Sequence, residues 1–417
     1  MLKESKFTEG FKKAVTKHST KSLLASIISI IVGLIIGFIF MLVASILKPG
    51  SSALGGIGIL LTGPFNGLNP KYEIGNLIFY MVPIIFTGLS IAIAYKTGLF
   101  NIGAPGQFLM GTMGSLLVAL SIDTTGNRFL GILVWILAII VGMLLGMFWG
   151  SLVGMLKALF GLNEVIASIM LNWIAANIIT WVFKDSPLHN IGEGKDGYLI
   201  KTSLTGNFSP TLGLGKLFSS GNISSYIDIG IVIAIVFCVL TWIFMNKTTL
   251  GYEMKACGLN KESAKYAGIN EKKNIILCMA FSGALAAIGG ALYHLNAGIE
   301  FKWQSAYQTL PPWGFNGIPV AFLANCNPLG IILSSMFIRY LSTSGAFLPM
   351  VGFNQYFADI IIAIIIYLAG FTRYFIGRID KRIRDMELAR LLEKEKNGLK
   401  SDPPNDNVIV MEEEGKK

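Results

Sequence analysis

The fold class predicted for this chain is an all-α polytopic membrane protein of about ten transmembrane helices, with a broken or re-entrant helix among them and both termini cytoplasmic. Three observations predict it. Hydrophobic residues make up 53% of the 417 residues and charged residues only 14%, too few charges for a water-soluble chain of this size. Apolar runs close to the ~20 residues that cross a bilayer recur along the chain. Lys and Arg are also shared unevenly between the segments that connect those runs.

The runs fall at about 22–47, 75–95, 99–121, 129–152, 163–183, 226–246, 274–295, 328–345 and 355–377. A shorter run, about 314–325, reads as membrane-embedded too, and Pro and Gly at both ends of it suit a half-length or tilted helix. An even number of spans puts both termini on one side. That side receives 25 of the 34 Lys and Arg, 17 of them in the two tails, and the opposite side receives eight. The positive-inside rule therefore makes it the cytoplasm. The net charge of +10 is topological and gives no reason to expect a nucleic acid partner.

The domain organisation follows. Residues 1–21 form a Lys-rich cytoplasmic segment, and the first run is too long and lacks a small-residue cleavage site, so it reads as a retained span. Residues 22–378 are the transmembrane domain, with an exterior loop at 184–225 and a cytoplasmic loop at 247–273. Residues 379–417 are a cytoplasmic tail, in which 380–399 carries a helical pattern and the PP- and EEE-bearing stretch from about 401 is disordered. Cys238, Cys257, Cys278 and Cys326 have neither metal spacing nor a disulfide pattern and read as apolar fillers.

Enzyme and nucleotide signatures are missing. Neither Gly-Lys dipeptide completes a phosphate loop, since His189 and Pro210 stand where its first Gly belongs. The three His residues, His18, His189 and His294, are scattered without HExxH or Cys/His clustering, which argues against hydrolytic zinc chemistry. A chain with pathway features and no ATP site needs an outside engine.

Where that engine would push is legible in the segment LGYEMKACGLNKESAKYAGINEKK, 250–273, held between two apolar runs. Asn260 is an N-cap, Glu262 sits in the first turn and Gly268 closes a single helix of about two turns. A helix that short is marginal alone. Its small face, Ala264 and Ala267 with Tyr266 beside them, suits docking against a partner, and a solvated loop is the plainer alternative.

Inside the membrane, GLFNIGAPGQ at 98–107 puts Gly, Pro, Asn and Gln at the start of an apolar stretch, so the helix there should be broken. Freed backbone groups are tolerated in a membrane only against protein or a water-filled cavity. Asn101 and Gln107 offer charge-free donors and acceptors suited to a neutral polar solute, while close packing of small residues is the alternative. In NEVIASIMLN at 163–172, Asn163 caps the next span, Glu164 is a helix-start charge and Asn172 is either a helix contact or a pathway group. Arg339 and Asp359, on neighbouring spans, suit an ion pair that avoids an uncompensated buried charge.

At these residues the chain resembles the membrane permeases of bacterial ABC importers for nucleosides, relatives of the ribose and branched-chain amino-acid permeases. The resemblance covers roughly 75–375. Its specific pieces are 98–107, similar to the family's GxxNIGxEGQ, 163–172, similar to NEVI and MLN, and 311–330, PPWGFNGIPVAFLANCNPLG, similar to GFxGIxVA and NPLG. Pro105 departs from the pattern, standing where these permeases commonly have Glu, which removes a carboxylate and stiffens the backbone.

The resemblance implies a multi-pass permease of the bacterial cell membrane with Asn101, Gln107, Asn172, Phe100, Trp313 and Asn316 as pathway residues. It makes Gly258, Asn260, Ala264, Tyr266, Ala267 and Gly268 the ATPase-coupling residues. It implies three kinds of partner besides the lipid bilayer: a second, related permease in a heterodimer, ABC ATPase subunits that use ATP and Mg, and an extracytoplasmic substrate-binding lipoprotein. No cofactor is expected in this chain. A permease for ribose or another simple sugar is the alternative within the class. An ion-coupled carrier or channel would favour membrane-embedded acids, of which Asp359 alone lies well inside a run.

Overall fold

The computed structural model describes residues 18–47, 50–67, 69–124, 127–184, 186, 188, 214–219, 224–296, 299, 301, 309–371, 377, 378, 381, 382, 385 and 389. All regular structure among them is helical: α1 His18–Leu47, α2 Ala53–Thr62, α3 Pro70–Lys96, α4 Ala104–Ser121, α5 Arg128–Phe160, α6 Glu164–Lys184, α7 Gly230–Lys247, α8 Thr249–Leu259, α9 Lys261–Tyr266, α10 Glu271–His294, α11 Gly317–Leu323, α12 Gly330–Gly345 and α13 Tyr356–Ala369, with one-turn pieces at Leu214–Leu217 and Pro312–Phe315. Six of these, α1 from Ser26, α3, α5, α6, α7 and α10, are long and apolar enough to cross a membrane.

Local chemistry sets the ends. Asn127 Oδ1 accepts from Leu130 N at 3.1 Å to start α5, and Gly161, left-handed at φ 68°, ends it. Asn163 Oδ1 accepts from Val165 N, and Lys157 Nζ donates to Glu164 in the first turn of α6, closing the short bend between α5 and α6.

The six long helices divide into an inner and an outer set. Buried residues make up 89% of the most apolar stretch of α3 and 83% of that of α10, against 22% to 33% for α1, α5, α6 and α7. Exposed Ile31, Ile35, Phe148, Met170 and Val236 on the outer set are what lipid-facing surfaces require. On its inner side α5 carries Gly142, Gly146, Gly150 and Gly154 at four-residue spacing. A methyl on Gly146 would stand 2.7 Å from Gly283 O, and one on Gly154 2.8 Å from Ile276 Cα of α10. Small residues let the two backbones close up, the main route to tight association where lipid competes for apolar contact.

Residues 29–370 form one compact unit. Residues 1–28 with 371–417 form another, of which α1's first turns, Phe371 and six helical, exposed residues of the tail are described. The N-terminal segment before 18, most of the 184–225 loop, most of the 380–399 helix and the stretch from 401 lie outside the described residues.

Candidate functional site

The stretch 98–103 is the break in the apolar run. Gly98 has φ +73°, the chain runs without helix to Gly103, and α4 starts at Ala104 with Pro105 in its first turn, where a missing N–H costs nothing. Asn101, fully buried, donates from Nδ2 to Ser90 Oγ at 2.9 Å and to Gln107 Oε1 at 2.8 Å. Its Oδ1 accepts from Gly103 N at 3.0 Å and from Gln107 Nε2 at 3.2 Å. Asn172, from α6, accepts from Gly106 N at 2.9 Å and donates to Ile102 O at 3.0 Å.

Three of the predicted pathway residues are thus brought to the break, Asn101 and Gln107 binding each other and Asn172 binding the backbone at Ile102 and Gly106. Burying such groups unpaired would cost several kcal/mol, roughly 1–3 each, so the network explains how a non-helical stretch persists at this depth. Asn172, left open between helix contact and pathway, makes a helix contact.

The piece 312–323 covers the break from the other side. A methyl on Gly314 would stand 2.5 Å from Pro105 N and one on Gly317 2.7 Å from Gly88 N, while Thr87 Oγ1 donates to Trp313 O at 3.0 Å. Pro105 is therefore a packing surface for Gly314. Phe100 is half-buried with its ring 6.3 Å from that of Phe322, and Asn316, also half-buried, joins the one-turn piece to α11.

Trp313 lies elsewhere, in an aromatic cluster that the sequence motifs did not reveal. Its ring stacks on Tyr80 at 5.6 Å and tilts against Tyr293 at 5.0 Å, and Tyr226 meets Tyr80 edge-on at 6.5 Å. Arg339 Cζ sits 4.9 Å from the Tyr80 centroid and 5.8 Å from that of Trp313. Among the described residues no ion pair joins Arg339 to Asp359, correcting the expected pairing. Asp359 is an exposed first-turn acid of α13, where the helix dipole favours it, and the cation is held over rings instead.

The 250–273 segment holds two helices where one was expected. Asn260, extended at φ −155°, ends α8 and begins α9, its Oδ1 accepting from Ser263 N at 3.1 Å. Gly268, at φ +79°, follows α9, and Asn270 caps α10. Ala264 turns inward at 3% exposure, so the outward face is Ala267 with Leu259 and Tyr266, which are 90% and 92% exposed. The bare apolar side chain of Leu259 was the missed sign of this face. Burial, with the carboxylates of Glu271 and Glu253 nearby, pushes the Cys257 thiol up, which keeps it an uncharged filler.

Gly258 anchors α8. A methyl there would stand 2.8 Å from Thr97 C and 2.9 Å from Gly98 N, and one on Gly98 3.1 Å from Gly258 Cα. Backbone presses on backbone where α3 ends and the break begins.

A family model described as "Branched-chain amino acid transport system / permease component" matches residues 73–370, which contain the break, the cover and the α8–α9 segment. The chain belongs to this permease family. It is an integral membrane protein. It is 36% identical over 303 residues, 72% of this chain and 80% of the relative, to the nucleoside ABC transporter permease protein NupB of Lactococcus lactis subsp. cremoris (strain MG1363). It is 32% identical over 351 residues, 81% and 92%, to the guanosine ABC transporter permease protein NupP of Bacillus subtilis (strain 168). A second Lactococcus nucleoside permease, NupC, is 26% identical over 267 residues, 63% and 78%. No solved structure matches. Among the described residues no group of His, Cys, Asp or Glu is placed to hold a metal ion.

Proposed function

We propose that this chain is the membrane permease subunit of an ATP-driven ABC importer and forms the pathway for nucleosides. The observation that carries the reading is the agreement of a 303-residue stretch with a nucleoside permease across 80% of that relative. A heterodimer with a related permease is supported by the two distinct nucleoside permeases, NupB and NupC, that one organism carries.

The ten-span arrangement rests on the recurring apolar runs, and the cytoplasmic placement of both termini on the 25 of 34 cations on that side. It makes 1–21 and 379–417 the cytoplasmic ends of a 22–378 permease domain. ABC ATPase subunits, using ATP and Mg, grip Leu259, Tyr266 and Ala267 on the cytoplasmic face. A lipoprotein on the far side hands over the solute.

The mechanism follows from the contacts. Movement of α8 and α9 reaches Gly98 through Gly258, and the amide network of Asn101, Gln107 and Asn172 makes the break move with it as one body. In this reading those amides build the wall, while half-buried Phe100, Trp313 and Asn316 face the solute. The permease itself does no bond chemistry.

Uptake of labelled inosine, guanosine and ribose by cells with and without the chain, the ATPase being present in both, tests the reading. Loss of nucleoside uptake alone is expected. Loss of ribose uptake alone points to a sugar permease, and no change in any contradicts the proposal.

A further inference from the structure

Arg339 is placed in a setting that stability does not explain. It lies ten residues into α12, inside an apolar run, and no carboxylate pairs with it among the described residues. Its Nη1 has one long hydrogen bond, 3.4 Å to Ser342 Oγ, and its Nε is buried without a partner. An uncompensated cation inside a membrane protein is costly and by default marks a functional site.

Its surroundings share a chemistry. Tyr80, Tyr226, Tyr293 and Trp313 come from α3, the segment before α7, the end of α10 and the cover piece, and each is half-buried, so each keeps part of its ring uncovered. Four ring systems from four segments cluster here, Tyr80 and Trp313 against the cation and Tyr226 and Tyr293 against those two rings. Pro83, one turn on from Tyr80, cannot donate to the carbonyl of Phe79, so the α3 ladder lacks one hydrogen bond at this level.

We propose that these five residues are the permease's own recognition site for the heterocycle of its solute, the rings stacking a base and Arg339 donating to the adjacent acceptors O6 and N7 of a 6-oxopurine. The proposal rests on the nucleoside reading above and goes beyond it by naming the base class and the residues. Stacking tolerates every base, since each has a π face. Selection therefore falls to the guanidinium, whose parallel donors match two acceptors side by side, whereas an adenine offers a donor at the first position.

The test is the maximal uptake rate of inosine and of adenosine, both saturating so that delivery does not discriminate, with the whole importer in its membrane. Arg339→Gln is expected to cut the inosine rate about ten-fold or more relative to the adenosine rate, the scale of one bidentate base contact. Arg339→Lys keeps the charge and loses the fork, so it is expected to show the same change of ratio at wild-type abundance. It decides the matter if Arg339→Gln fails to reach the membrane. An unchanged inosine-to-adenosine ratio in Arg339→Lys, whether both rates hold or fall together, overturns the proposal as a structural role would. A wild-type importer that moves ribose and neither nucleoside removes the nucleoside reading and this site with it. One that moves nucleosides with an unaltered ratio in the variants removes the site alone.

Discussion

The two ends of the α3 stretch from Tyr80 to Lys96 are built on opposite plans. At Lys96 the helix runs into the break, where Asn101 and Gln107 pair with each other, Asn172 holds the backbone at Ile102 and Gly106, and Gly258 presses on Gly98 with no side chain between. At Tyr80, roughly 24 Å away along the helix, half-buried rings surround a cation whose Nε has no partner. A network whose amides are paired with each other and with the backbone passes on displacement. A cluster with unmet donors and uncovered rings has binding capacity left over. The difference teaches that burial of polar groups alone does not mark a binding site, and that a buried cation with an unmet donor beside partly exposed rings points to one.

That comparison breaks or sharpens on four substitutions. The largest effect is expected for Gly258→Val, whose branched side chain must enter the backbone of Lys96–Gly98. Overpacking of this kind costs about 1–3 kcal/mol or more, and uptake of all solutes should fall by about a hundred-fold, measured against membrane abundance. Selective loss of one nucleoside would contradict the rigid reading of this end.

Asn172→Ala comes next. It strips Gly106 N–H and Ile102 C=O of their partner, at about 1–3 kcal/mol for each group left unpaired. The purified permease should unfold at a lower temperature while any remaining uptake keeps the wild-type solute preference. An unchanged midpoint would show that the network is not what holds the break.

Gly268→Val is milder. A Cβ there meets nothing within 4 Å, but φ is +79°, so the cost is backbone strain of about 1–2 kcal/mol. Uptake should drop several-fold at wild-type abundance, and normal uptake would free the end of α9 from the coupling role. Lys261→Ala should do least. Its 3.3 Å pair with Glu271 is solvent-exposed and contributes under about 1 kcal/mol, so uptake within a factor of two is expected in an abundance-corrected assay.

Much of the rigid end was legible in the sequence. Gly98, Asn101, Gly103 and Pro105 crowd ten residues and announce a broken helix, because each either breaks or caps one. Asn260 announces a helix start, although it equally ends the helix before it, and that double use turned one expected helix into two. The aromatic end was not legible. Tyr80, Tyr226, Tyr293, Trp313 and Arg339 sit on five separate segments, and none has a local pattern that sets it apart from an ordinary apolar or interfacial residue. Charge complementarity alone drew Arg339 to Asp359, and only the folded arrangement shows a cation held by rings.

The most direct test of the division between the two ends is the ratio of inosine to adenosine uptake in Gly258→Ala and Arg339→Lys, side by side in the same membranes. Gly258→Ala should lower both rates together and keep the wild-type ratio, while Arg339→Lys should change the ratio by about ten-fold. The same ratio in both variants, altered or unaltered, would contradict the assignment of transmission to one end and recognition to the other.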